Sequence, residues 1–135
     1  MDTEQILIVA LGGRVLGIHA STGQELWRNE LQLGGISEVA LAVSANFVFA
    51  SASAKRVFCI DKQNGETKWT ALTTGIGRAT LIQKNDKLIV CKGGWLDAFT
   101  TEGKTLWSMN LRESSKDAAA LGFTDHVIQS DRYRK

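Results

Sequence analysis

The sequence contains no proline and only two cysteines, and it has no uninterrupted apolar stretch long enough to cross a bilayer. Without proline the usual rigid punctuation of loops is missing, so thirteen glycines must supply the turns between regular elements. A membrane helix needs roughly twenty predominantly apolar residues, which excludes a spanning segment. The start, Met1-Asp2-Thr3-Glu4-Gln5, is acidic where a secretory signal needs a basic lead followed by an apolar stretch. These absences lead us to expect a soluble, unsecreted, cytoplasmic chain without a membrane partner. Charge of one sign is scarce as well. Sixteen Lys and Arg against fourteen Asp and Glu leave a formal +2, too little to grip nucleic acid. Cys59 and Cys91 are too far apart for a CxxC pair and have no His/Cys cluster beside them, so neither a metal nor a redox site is expected.

What remains is a chain of 135 residues, 44% hydrophobic and 22% charged, enough for one folded domain with a core. Its clearest feature is self-similarity. A glycine is followed four residues later by tryptophan three times: Gly23 with Trp27, Gly65 with Trp69, Gly103 with Trp107. The tryptophans are 42 and 38 residues apart (27 to 69, 69 to 107), the spacing of four-stranded propeller blades. Helical repeats can share that period, but they need long stretches of 3.6 periodicity. Here the repeats hold short β-branched and aromatic runs broken by turn residues.

The middle repeat gives strands at Val39 to Val43, Phe47 to Ala50, Val57 to Asp61 and Thr67 to Leu72. The next gives Ala79 to Gln83, Leu88 to Lys92, Leu96 to Thr100 and Thr105 to Asn110, with hairpin chemistry at Asn85-Asp86 and Gly93-Gly94. The first repeat supplies only Ile6 to Ala10, Val15 to Ala20 and Glu25 to Leu31, so its opening strand is missing. Ala118 to Phe123 matches an opening strand, Val127 to Ser130 is a surplus strand, and residues 131–135 form a polar tail. The expected architecture is all-β: a partial blade over 6–31, blades over 38–72 and 78–111, and an opening strand over 118–123. That is three blades' worth per chain.

Aligned, the repeats place Gly17, Cys59 and Ala98 together, and Ala10, Ala50 and Cys91 together. Both thiols therefore occupy slots for small buried residues. Glycine allows a positive φ in the turn before the outermost strand, and the following tryptophan is large enough to fill the widening gap between twisted sheets. No HExxH, GxSxG, GxxxxGK or His pair is present. His19 stands in the slot held elsewhere by Asp61 and Thr100 and is expected to hydrogen-bond its turn; His126 stands alone. The Gly12-Gly13, Gly34-Gly35 and Gly93-Gly94 pairs join strand to strand, so they lack the helix N-terminus that a phosphate loop uses.

These motifs resemble the quinoprotein-like, or PQQ-like, propeller repeat, whose pattern is approximately Ala-x-Asp-x-x-Thr-Gly-x-x-x-Trp. The matching segments are Gly17 to Trp27, Cys59 to Trp69 and, with a turn one residue shorter, Ala98 to Trp107. The resemblance implies a β-propeller and leaves the function open. Family dehydrogenases that carry PQQ resemble one another in an adjacent Cys-Cys disulfide, a tryptophan floor, calcium-binding Glu and Asn, a catalytic Asp, eight blades and a signal peptide. The propeller lipoprotein of the outer-membrane assembly machinery would need a lipid-attachment Cys near its start. Neither set occurs in these residues. The expectation is a binding or scaffold propeller with no catalytic residues, no metal and no PQQ. The alternatives are a fragment of a larger propeller, possibly a quinoprotein dehydrogenase, and a carbohydrate or peptide receptor.

Three blades leave sheet faces in water, so more blades are required. The missing first strand and the extra last one suggest that residues 118–123 of one chain complete the first blade of another, giving a six-bladed homodimer. An unknown protein or small-molecule ligand would bind at the channel mouth. Loops leading into the innermost strands carry Glu38, Arg78 and Asp117, and the loops between second and third strands carry Arg14, Arg56 and Trp95 at equivalent positions.

Overall fold

The computed structural model describes residues 2, 5–35, 38–113 and 119–129. Among these, the regular elements are all strands, and every pairing between them is antiparallel. The first sheet is β1 (Ile6–Leu11), β2 (Arg14–His19) and β3 (Glu25–Asn29), in that order. The second runs β4 (Ala40–Val43), β5 (Phe47–Ser51), β6 (Arg56–Asp61), β7 (Thr67–Leu72), and the third β8 (Ala79–Lys84), β9 (Lys87–Lys92), β10 (Trp95–Thr100), β11 (Thr105–Asn110). Each is a meander of consecutive neighbours, the form that short turns between alternating runs dictate. β12 (Ala120–Phe123) pairs with β13 (His126–Gln129). The fold is a β-propeller, with β4 beside β8 and the β12–β13 hairpin on the other side of β8.

Strand boundaries differ slightly from those read off the sequence. β3 stops at Asn29 because Leu31 has φ 53°, and Asn29 Oδ1 accepts the Leu31 N–H to turn the chain out of the sheet. Ala118, Ser130 and residues 131–135 lie outside the described residues. The more consequential difference is at β12. Expected to be donated to another chain, it pairs with the surplus strand β13 as a hairpin, with Phe123 opposite His126 across the two-residue turn Thr124-Asp125. An unpaired edge leaves backbone groups without partners, and β13 is close enough in sequence to satisfy one side of it. Lys84 Nζ pairs with Asp125 at 2.8 Å, and Thr80 Oγ1 donates to the Ala119 carbonyl at 2.6 Å, tying the hairpin to β8.

Two apolar clusters form the core, each between adjacent sheets. Val15, Trp27 and Leu31 pack with Val48, Ala50, Phe58 and Ile60; Phe49, Val57 and Cys59 pack with Leu81, Leu88, Val90 and Phe99. The indoles connect these layers. Trp27 lies over Gly65 of the next blade, where an added Cβ would sit 2.5 Å from the ring, and its Nε1–H donates to the Lys62 carbonyl at 2.9 Å. Trp69 repeats this over Gly103, donating to the Thr101 carbonyl at 3.0 Å.

The small-residue slot has a cause in the same place. Gly17 faces Trp27, Cys59 faces Trp69 and Ala98 faces Trp107, and immediately after each of the three the ladder shifts register. A bulge re-aims a side chain, and here it recurs beside every indole. At Gly17 the ring lies so close that an added Cβ would be 2.4 Å from it.

The burial of the three indoles predicts a graded series. Trp27 is 8% exposed, Trp69 is half-buried and Trp107 is 45% exposed. Trp27→Ala should cost about 3–5 kcal/mol of unfolding free energy, the usual cost of removing a buried large aromatic. Trp69→Ala should cost less, and Trp107→Ala within about 1 kcal/mol of nothing under conditions where the chain is monomeric. Urea denaturation of the three variants checks the order, and equal losses would contradict it.

Candidate binding face

In an antiparallel blade the loop between second and third strands shares one end with the linkers between blades. The segment Ser53–Lys55 is the centre of this end. Ala54 N–H donates to the Gly34 carbonyl, Gly77 N–H to the Ser53 carbonyl and Thr73 N–H to the Lys55 carbonyl, so one loop holds both linkers. Arg14, Arg56 and Trp95 are the first residues of β2, β6 and β10 at this end.

Of the expected ring of charge, the structure joins Glu38 to Arg78 in an ion pair of 3.0 Å between successive blades. Arg14 pairs within its own blade, its Nε donating to Glu30 at 2.9 Å. Both pairs face solvent, where such bridges contribute about 0–1 kcal/mol. Trp95 is half-buried and faces Lys92 across the Gly93-Gly94 turn. The Arg56 backbone carbonyl accepts from Ser51 Oγ at 2.6 Å. Asp117 lies outside the described residues.

Two residues that the sequence reading passed over stand at the same end. Lys92 is 1% exposed, and its Nζ donates to the Ala54 carbonyl at 2.5 Å and the Arg56 carbonyl at 3.5 Å, both in the neighbouring blade. Burial pushes its ammonium down to about 8, a shift that the nearby Asp97 carboxylate opposes. Asp97, also buried, accepts from Thr74 N–H at 2.8 Å, Thr74 Oγ1 at 2.7 Å and Ser108 Oγ at 2.5 Å. The repeat alignment held the signal: Asp97 occupies the slot of Leu16 and Phe58, and Lys92 that of Leu11 and Ser51. Phe58 supports the first linker by packing under Gly34, and Asp97 supports the second by hydrogen bonds to Thr74.

At the opposite end, a cleft of about 450 Å³ is lined by Asn46, Phe47, Asp61, Gln63 and Asn64. The turns here hold themselves by side chains. His19 Nδ1 accepts the Ser21 N–H, Asp61 Oδ1 the Gln63 N–H, and Thr100 Oγ1 the Lys104 N–H. Both thiols are free and buried. Burial first, then the Asp61 charge, pushes Cys59 up to about 12; burial, then Asp97, raises Cys91. Such thiols are poor nucleophiles at neutral pH.

Antiparallel four-stranded blades keyed by a Gly-to-Trp motif define a PQQ-like β-propeller. The family described as outer membrane protein assembly factor BamB matches residues 2–130, and the chain belongs to it. The crystal structure of BamB from Moraxella catarrhalis superposes with a TM-score of 0.66 at 21% identity, over 78% of this chain and 33% of that one. Quinohemoprotein alcohol dehydrogenase from Comamonas testosteroni gives a TM-score of 0.63 at 18% identity, over 78% of this chain and 19% of that one. In sequence, tetrathionate hydrolase of Acidithiobacillus ferrooxidans is 27% identical over 143 residues, covering 90% of this chain and 28% of the relative. The chain thus spans a third or less of each of these proteins.

The titrating groups predict an alkaline signature. Folded Lys92 loses its proton near pH 8, whereas the unfolded side chain keeps it to about 10.5, so stability rises with pH across that interval. Cys59 acts oppositely: the unfolded thiol ionises near 9 and the folded one near 12, so its contribution falls as pH rises above 9. Between pH 8 and 9 the lysine should add about 1 kcal/mol. Lys92→Met should flatten that rise in denaturation curves taken at half-unit steps, and an unchanged slope would contradict the assignment.

Proposed function

We propose that the chain is a non-catalytic binding or scaffold module of a β-propeller, and that its ring is completed by a second copy. The observation that carries this reading is the outer face of β11. Every residue of Thr105–Asn110 is exposed; Trp107 at 45% and Met109 at 52% share one face, and Leu106, at the ladder shift, is 43% exposed. An apolar strand face of this kind is a surface for another polypeptide. At the other end β1 carries the run Ile-Leu-Ile-Val-Ala-Leu, with no inner strand paired to it among the described residues, and Leu7 and Leu11 are more than half exposed. In the proposed dimer β12 keeps its place beside β8, and the six-residue β1 of the second copy displaces the four-residue β13 from its edge. The name of the BamB family, an assembly factor, supports a role in protein association. Ligand contact falls to the end bearing Trp95, Arg56 and the Glu38–Arg78 pair.

A second reading is favoured by the pairing of β13 with β12. In a longer propeller this hairpin is the inner half of a fourth blade of the same polypeptide, and the small share of each relative covered by the chain supports that view. The activity of such a whole protein, a quinoprotein dehydrogenase included, would then extend to this segment.

Sedimentation equilibrium separates the readings. A dimer at micromolar concentration, with a Tm that rises with protein concentration, supports completion by a second copy. A monomer with native circular dichroism points to the longer propeller. Titration with PQQ and calcium should leave absorbance and dye reduction unchanged, and stoichiometric binding with dye reduction would overturn the non-catalytic assignment.

A further inference from the structure

Each internal junction is built from one plug and one socket. The plug is an indole; the socket is a turn in which glycine has a positive φ and a nearby carbonyl faces the indole N–H. Gly65 has φ 79° and the Lys62 carbonyl takes Trp27 Nε1; Gly103 has φ 95° and the Thr101 carbonyl takes Trp69 Nε1. In both sockets the carbonyl-bearing residue is anchored by its own N–H, Lys62 to Asn46 and Thr101 to Asp86.

A third socket is complete and empty. Gly23 has φ 79°, the same as Gly65, and among the described residues nothing lies within 4 Å of the position a Cβ would take. Ala20 occupies the place of Lys62, and its N–H is anchored to the Gln5 carbonyl at 2.8 Å, the equivalent bond to that of Lys62. At the far end Trp107 faces Ala98 just before the ladder shift, the register of the two seated indoles, yet it stands 45% exposed.

We propose that Trp107 of one copy seats on the Gly23 turn of a second copy and donates its Nε1–H to the Ala20 carbonyl, with the reciprocal contact closing a two-fold ring. The inference rests on completion by a second copy and specifies the residues that make that junction. The occupant follows from complementarity: the two internal junctions show which turn an indole of this chain fits, and the open turn of that form is in the chain itself.

The internal template also supplies a cross-link. Asn29, two residues after Trp27, donates through Nδ2 to Thr67 Oγ1, two residues after Gly65, at 2.9 Å. The equivalent positions at the proposed junction are Met109 and Glu25. The full chain carrying both Met109→Cys and Glu25→Cys should, on mild oxidation, give a covalent dimer on a non-reducing gel, while each single variant gives only background. Adding Trp107→Ala should reduce the dimer band on the order of tenfold, as expected when an interface anchor is lost. A Trp107→Ala copy mixed with a Gly23→Val copy keeps one intact plug and one intact socket. That mixture should associate where neither variant does alone, which also shows that both fold. If the wild-type chain sediments as a dimer but the double-cysteine variant does not cross-link, or cross-links equally without Trp107, the Trp107–Gly23 contact is overturned and second-copy completion stands. A product linked within one chain also overturns the contact. A wild-type chain that sediments as a monomer overturns both.

Discussion

The fold depends on an indole laid over a glycine. A four-stranded sheet cannot bury both of its faces, and twisted sheets diverge toward their outer strands, so neighbouring blades leave a gap where the outermost strands lie. Trp27 and Trp69 fill it. Because each ring also donates its N–H to a carbonyl of the next blade, the contact fixes register as well as burying area. Two further requirements follow. The turn beneath the ring must have no side chain, and the residue across the ladder from the tryptophan must be small.

That chain of requirements explains which features the sequence displayed. The glycine, the tryptophan and the small partner at Gly17, Cys59 and Ala98 recur because the same contact demands them in every blade, and a recurring demand leaves a period. The hairpin turns were equally visible, since Asn85, Gly93 and Gly94 adopt the positive φ that their residue types favour. Lys92 and Asp97 were not singled out because they are departures from the repeat. Each meets a need of one junction only, Lys92 gathering carbonyls of the preceding blade and Asp97 holding the linker at Thr74. The Arg14–Glu30 pair was missed for a related reason: long side chains choose partners by local geometry that spacing does not encode. The β12–β13 hairpin shows a different limit. The surplus strand was legible as a strand, but whether its edge pairs with β12 or with another chain depends on competition between partners.

The two ends of the propeller divide their work. At one end the Ser53–Lys55 loop ties both linkers and receives Lys92 from the following blade, so blade orientation is set there by buried polar contacts. At the other, turns closed by His19, Asp61 and Thr100 present the sockets for the indoles. Trp95 and the Glu38–Arg78 pair stand at the more constrained end, carried on backbone that the linkers hold in place.

The third turn is one residue shorter than the others, and the carbonyl that meets the indole stands two residues before Gly103 but three before Gly65. The junction accommodates that deletion and keeps its hydrogen bond. Since each repeat also carries its own plug and its own socket, a duplicated or lost repeat needs no new interface to be invented at its borders. Blade number in such a chain is thus open to change by simple copying of whole units, with sheet twist, rather than any residue-level code, deciding how many units close a ring.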